Sequence, residues 1–128
     1  MNTFHLSLLM AAHNDLGKWG EEVATAYLRD KGYIIVERDW HSQHRDLDII
    51  ALDDGVMVFI EVKTRQSDAF AYPDQTITRK KLQNLQLAIN HYVKSNKVTR
   101  RFRIDIITVI GDGDKKPEIR HLTDVSIW

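Results

Sequence analysis

The sequence predicts an α/β fold with a mixed central sheet flanked by helices. Two long segments have apolar residues at helical spacing, and the other segments are rich in β-branched residues bounded by glycine and aspartate. The predicted order is one helix, three strands, a second helix and two strands, which favours helices packed against a sheet. We predict a single domain over residues 1–128, since this length suffices for one sizeable core.

Composition limits the classes of function. The chain has 18 Lys plus Arg, 18 Asp plus Glu and no cysteine. Net neutrality means that a nucleic-acid partner needs a local basic patch, and the lack of cysteine excludes disulfides and favours a cytoplasmic location. The apolar run Leu6–Met10 is too short for a membrane span, so residues 1–13 are expected to form a flexible tail without membrane contact. The chain has no dinucleotide fingerprint, so we expect no small-molecule cofactor.

The first helix is predicted to begin at Asn14 or Asp15 and to end near Lys31, before Gly32. Glu21 borders its apolar stripe, whereas Glu22 points to water. The residues of this stripe are Trp19, Gly20, Val23, Ala24, Tyr27 and Leu28.

Three predicted strands follow, at 33–40, 47–52 and 56–64, and Asp54-Gly55 is typical of a two-residue hairpin turn. With that turn, Asp48 lies opposite Glu61 and Asp46 opposite Lys63. A three-residue loop would instead pair Glu61 with Leu47, and a four-residue loop would restore the facing carboxylates.

The hairpin register brings an Asp, a Glu and a Lys to one patch of the sheet. Glu61 and Lys63 share a face because strand side chains alternate, and Asp48 lies on a strand that is apolar on both faces. Facing carboxylates repel each other, so a cation is expected between them. Mg²⁺ prefers one or two carboxylates with water and phosphate. A solvated hairpin edge is the alternative interpretation.

The second helix is predicted to run from a Thr78 cap to about Ser95. Its first turn carries Arg79, Lys80 and Lys81, where the helix dipole disfavours positive charge. Lys81 leans toward the sheet and could hold a phosphate, unless it is a flexible surface lysine. The predicted buried stripe consists of Leu82, Leu85, Ala88, Ile89, Tyr92 and Val93.

The remaining segments carry weaker signals. Residues 66–76 are predicted to form a loop, in which Phe70 and Tyr72 either pin the loop or stack on a base. His41 and His44 are assigned to a surface turn. Further strands are predicted at residues 103–110 and 118–122.

Several motifs occur together in this chain: Leu16 to Ala24 in the first helix, Asp46 to Ile50, Val58 to Arg65, and the later Lys81 and Arg103-Ile104-Asp105. Together they resemble the YraN-like family of small bacterial predicted endonucleases. The family is similar to archaeal Holliday-junction resolvases, within the restriction-endonuclease-like PD-(D/E)XK superfamily. The resemblance covers about residues 16 to 110.

The resemblance implies an αβββαβ core and a metal-dependent nuclease. Its catalytic residues would be Asp48, Glu61 and Lys63, with Glu21 as the acidic residue of the first helix. The expected ligands of Mg²⁺ or Mn²⁺ are Asp48, Glu61, Glu21 and the Val62 carbonyl. The family has Gly-Glu where this chain has Arg45-Asp46, so Asp46 has a shorter reach.

The expected partner is DNA, branched or damaged, with Arg65, Arg79 and Lys81 positioning its backbone. A homodimer would suit a junction-type substrate. Two alternatives remain open: a nucleic-acid-binding module on the same fold with little or no catalysis, and a protein-interaction domain that reuses the scaffold.

Overall fold

The computed structural model describes residues 3–66 and 78–126, with side chains from Asp15 onward. The elements occur in the predicted order. Their bounds are α1 Thr3–Asp30, β1 Ile34–Ser42, β2 Arg45–Asp53, β3 Val56–Arg65, α2 Arg79–Ser95, β4 Phe102–Ile110 and β5 Glu118–Leu122.

The five strands form one mixed sheet in the order β1-β2-β3-β4-β5. Only β3 and β4 are parallel among these pairs, and α2 lies between them in the chain, as a parallel connection requires. The predicted α/β class is confirmed, and the arrangement is a restriction-endonuclease-like αβββαβ core extended by β5.

Each helix covers one face of the sheet. The predicted stripe of α1 is confirmed, and that of α2 is confirmed except for Leu82, which is only half-buried and lies outside the core. Strands β2 and β3 contribute to both layers, as expected for strands inside a covered sheet. The core on the α1 side contains Ala24, Leu28, Ile49, Ala51, Val58, Ile60, Ile107 and Val109. The core on the α2 side contains Leu47, Ile50, Met57, Phe59, Leu85, Ala88, Ile89, Tyr92 and Ile104.

Helix α1 begins at Thr3, and not at Asn14 or Asp15 as predicted. Residues 3–13, which we expected to form a flexible tail, are helical. They contain leucine, methionine and alanine with no glycine or proline, so the helix extends through Asn14 and Asp15 at little cost.

The hairpin between β2 and β3 has the predicted two-residue turn. Asp54 and Gly55 both have positive φ, at 50° and 84°, as a type I′ turn requires. The pairs run from Asp53↔Val56 to Ile49↔Ile60, so the predicted register is confirmed and the three-residue alternative is wrong.

Two further predictions concern loops. Gln43 and His44 form the turn between β1 and β2, which confirms the prediction for His44. His41 was also assigned to this turn, but it is an exposed residue of β1 because the strand continues to Ser42. Residues 67–77, with Phe70 and Tyr72, lie outside the described residues. Within the described ranges, no helix has the length and apolar character needed to cross a membrane.

Candidate active site

The candidate site lies where β2 separates from β3. The last pair of this ladder is Ile49↔Ile60. One residue further along β2, Asp48 Oδ2 accepts a hydrogen bond from the Val62 N–H at 2.9 Å. A carboxylate therefore takes the N–H of β3 at the point where backbone pairing ends.

The backbone of Val62 faces this gap. At the two ends of β3, Met57 donates to the Arg101 carbonyl and Arg65 accepts from the Gly111 N–H, at 2.9 and 2.8 Å, so the odd-numbered residues bond toward β4. Val62 has the opposite parity. Because the N–H and C=O of one strand residue point to the same edge, the Val62 carbonyl also points toward the Asp48 side.

A cavity of about 250 Å³ opens at this separation. Four elements line it: α1, β2, β3 and the first turn of α2. Six of the eight predicted site residues line it: Glu21, Asp48, Glu61, Val62, Lys63 and Lys81. The hairpin register and the packing of both helices on the sheet place them together. The charged side chains around it are Glu21, Asp46, Asp48, Glu61, Lys63 and Lys81.

Helix α1 reaches the cavity because Gly20 lets it lie close to β3. A Cβ on Gly20 would overlap the Thr64 side chain. Thr64 follows Lys63 in β3, and Glu21 follows Gly20 in α1. The close approach thus brings Glu21 into the lining, which helical phase alone could not establish.

Glu61 is the centre of the ion pairs in the cavity. Its side chain is only 7% exposed, and its Oε1 lies 3.0 Å from Lys81 Nζ and 3.9 Å from Lys63 Nζ. The closer ammonium group is therefore that of Lys81 in α2, and not that of Lys63, two residues along β3.

Two carboxyl groups of the cavity, Asp48 and Glu21, have raised pKa values. Burial, and then the charge of Glu61, raise the pKa of Asp48 to about 8, although the Val62 N–H acts in the opposite direction. Burial, and then the Asp39 carboxylate, raise the pKa of Glu21 to about 7. Burial and the neighbouring Lys81 lower the pKa of Lys63. Such opposed shifts are common in functional sites.

This donor set fits a hard divalent cation. Asp48 and Glu61 disfavour each other's charge, and the Val62 carbonyl points to the same gap, so a cation there would relieve the repulsion. Among the described residues, no group of three or more His, Asp or Glu side chains is arranged to hold a metal. The set is therefore two carboxylates and a carbonyl, with Glu21 nearby.

Two of the predicted phosphate-positioning residues lie outside this cavity. Arg65 is half-buried at the end of β3, and Arg79 is exposed at the first residue of α2. A second cavity of about 120 Å³ adjoins the first one and shares Asp46, Glu61 and Lys81 with it. Arg45, from the start of β2, and Asn84, from α2, line this second cavity.

A buried polar network around Asp105 of β4 was not predicted. Asp105 is fully buried and accepts hydrogen bonds from Arg103 Nε, His121 Nε2 and the Asp124 N–H, at 3.1, 2.7 and 3.0 Å. Tyr27 OH lies 3.0 Å from the other nitrogen of His121. The sequence signal was a lone aspartate within an isoleucine-rich strand, which indicates a paired buried carboxylate.

The fold and the cavity define an α/β protein with a restriction-endonuclease-like core and a mixed acidic and basic site where two central strands separate. The sequence profile described as uncharacterised protein family UPF0102 matches residues 20–109. The chain belongs to this family, also known as the YraN family, which confirms the resemblance.

Three relatives show the extent of the similarity. A UPF0102 protein of Flavobacterium psychrophilum is 43% identical over 115 residues, which cover 90% of this chain and 96% of the relative. One of Phocaeicola vulgatus is 43% identical over 123 residues, covering 93% and 100%. One of Syntrophomonas wolfei is 40% identical over 114 residues, covering 86% and 96%.

Proposed function

We propose that the protein is a metal-dependent endonuclease that hydrolyses phosphodiester bonds in DNA, with branched or damaged DNA as its substrate. The observation that carries the proposal is the convergence of Asp48, Glu61 and Lys63 on one cavity where β2 leaves β3. Two carboxylates and a lysine in such a cavity are the groups needed to hold a divalent cation and to assist an attacking water.

The residues of the cavity would have different roles in the reaction. Asp48 and Glu61, with the Val62 carbonyl, would hold Mg²⁺ or Mn²⁺, and Glu21 assists from α1. The bound cation supplies Lewis-acid stabilisation of the phosphate oxygens. Lys63 orients the attacking water and stabilises the developing negative charge.

DNA binding would depend on local positive charge because the whole chain is neutral. Lys81 lies at the cavity, and Arg79 is exposed in the same helical turn. Arg65 ends the strand that carries Lys63. These residues would contact the phosphate backbone and so fix the position of the DNA without reading its sequence.

The test is cleavage of branched and linear DNA by purified protein in Mn²⁺. We expect Lys63→Ala to reduce the cleavage rate about 100-fold or more, as for loss of a residue that stabilises transition-state charge. Lys80→Ala is the matched control, since Lys80 is an exposed lysine of the first α2 turn that does not line the cavity. Cleavage by the wild type that does not exceed that of Lys63→Ala would refute the proposal.

One observation favours a second function, a nucleic-acid-binding module without catalysis. Lys81 already neutralises Glu61, so the cavity has a cation of its own. This alternative needs the lysine and not the carboxylates. It predicts that Asp48→Ala keeps DNA affinity and cellular function, whereas Lys81→Ala combined with Arg79→Ala abolishes both.

A further inference from the structure

Two lysines contact Glu61, and their side chains differ in solvent exposure. Lys63 Nζ lies 3.9 Å from Glu61 Oε1, and its side chain is 19% exposed. Lys81 Nζ lies closer, at 3.0 Å, yet its side chain is 48% exposed. The tighter contact is thus made by the side chain that can more easily move away.

The backbone of Lys81 is fixed while its side chain is not. The Thr78 hydroxyl caps α2 by accepting a hydrogen bond from the Lys81 N–H at 3.1 Å. A cation in this first turn is disfavoured by the helix dipole, and Glu61 compensates for that. The flexible four-carbon stem of lysine lets the ammonium change partner without moving the helix.

A divalent cation and Lys81 would compete for the same oxygen. The cation site proposed above uses the Glu61 carboxylate, and Lys81 Nζ lies within hydrogen-bond distance of its Oε1. A metal ion bound there would repel the ammonium. The second cavity shares Asp46, Glu61 and Lys81 with the first one and adds Arg45 and Asn84, so the ammonium has space to move toward Arg45 and Asn84.

We propose that Lys81 is an internal counter-cation of Glu61 that a bound divalent cation displaces, and that the released ammonium then binds a DNA phosphate at the second cavity. This inference rests on the proposed function and adds a coupling to it. Arg45 and Asn84 would supply further hydrogen-bond donors to the same phosphate. Metal binding would thereby increase the affinity for DNA, and DNA would increase the affinity for metal.

The first test measures Mn²⁺ binding by isothermal titration calorimetry without DNA. Lys81→Met removes the competitor, so we expect it to bind Mn²⁺ about fivefold more tightly than the wild type, the factor set by a partly exposed ion pair. Lys80→Met removes the same charge from the adjacent exposed position and controls for long-range electrostatics. Lys81→Arg keeps a competing cation and should return the affinity to that of the wild type or below.

Calorimetry gives clear opposing outcomes. Lys81→Met binding Mn²⁺ no more tightly than Lys80→Met would overturn the inference, and so would a wild type that binds no Mn²⁺. Cleavage of DNA could still be intact in the first case, which separates this failure from failure of the proposed function.

The second test measures DNA affinity by fluorescence anisotropy, in EDTA and in Ca²⁺, at several salt concentrations. With Ca²⁺, Lys81→Met should weaken binding and lower the slope of log affinity against log salt by about 0.9, the value for one phosphate contact. In EDTA it should change neither quantity. Equal losses in both conditions would show that Lys81 contacts DNA whether or not a cation is bound, which overturns the proposed displacement.

Discussion

Replacing Asp48 with asparagine is expected to stabilise the folded protein at neutral and alkaline pH. The side-chain oxygen of the new amide could still accept the Val62 N–H, so the hydrogen bond that Asp48 makes at 2.9 Å is retained. What is lost is a carboxyl group whose pKa is raised from 3.8 to about 8 by burial and by Glu61. The substitution therefore removes an unfavourable ionisation and keeps the shape of the site.

The pH dependence follows from the direction of the shift. Below about pH 4 Asp48 is protonated in both states; between pH 4 and 8 only the folded state keeps the proton. The free energy of unfolding of the wild type, relative to Asp48→Asn, should thus fall by up to about 1.4 kcal/mol per pH unit. The largest possible decrease in this free energy of unfolding from pH 4 to pH 8 is about 6 kcal/mol. We expect a decrease of about 2 kcal/mol because water in the open cavity screens the charge of Asp48.

Urea unfolding from pH 4 to pH 9 in EDTA measures this difference. Asp114→Asn, an exposed aspartate of the turn before β5, is the control and should follow the wild type at every pH. Parallel profiles for wild type and Asp48→Asn would refute the reasoning, because they would mean that Asp48 ionises as easily in the folded state as in the unfolded chain. Mg²⁺ should stabilise the wild type and not the Asp48→Asn variant.

Two further substitutions test the scaffold. Gly20→Ala should destabilise the protein by about 1–2 kcal/mol in thermal unfolding and reduce its Mn²⁺ affinity, because the new methyl group pushes α1 away from Thr64. Gly17→Ala is the control, and it should be neutral or stabilising because there is open space around the new Cβ. Asp105→Ala should cost about 3–5 kcal/mol in urea unfolding, since Arg103 and His121 lose a buried carboxylate, and a loss near that of an exposed aspartate would contradict the network.

Much of the hairpin could be predicted because local chemistry determines it. Asp54-Gly55 fixes the turn, the turn fixes the register, and the register places Asp48 level with Glu61. Asp48 and Glu61 are not part of the backbone ladder between β2 and β3, however, because its last pair is Ile49↔Ile60. Asp48 bonds the Val62 N–H with its side chain, and pairing rules do not specify where two strands separate.

The contacts of the site that could not be predicted depend on how elements far apart in the sequence pack together. The contact of Lys81 with Glu61 follows from how α2 crosses the end of β3, and the helical phase showed only that Lys81 leans toward the sheet. Likewise, the approach of Gly20 to Thr64 and the partners of Asp105 arise from tertiary packing. The start of α1 at Thr3 was missed because a cap signal at Asn14 was given more weight than the helix-forming residues before it.

The separation of β2 from β3 connects the structural features of the site. If the ladder had continued past Ile49↔Ile60, backbone carbonyls of β2 would satisfy the β3 N–H groups. Asp48 instead fills that role, which buries its carboxylate beside Glu61 and leaves the Val62 carbonyl directed at the gap. The arrangement opposes stability, and under the proposed function a bound cation would offset that cost, which is the local conflict expected at functional sites. If Asp48 served folding alone, asparagine could replace it without loss of stability.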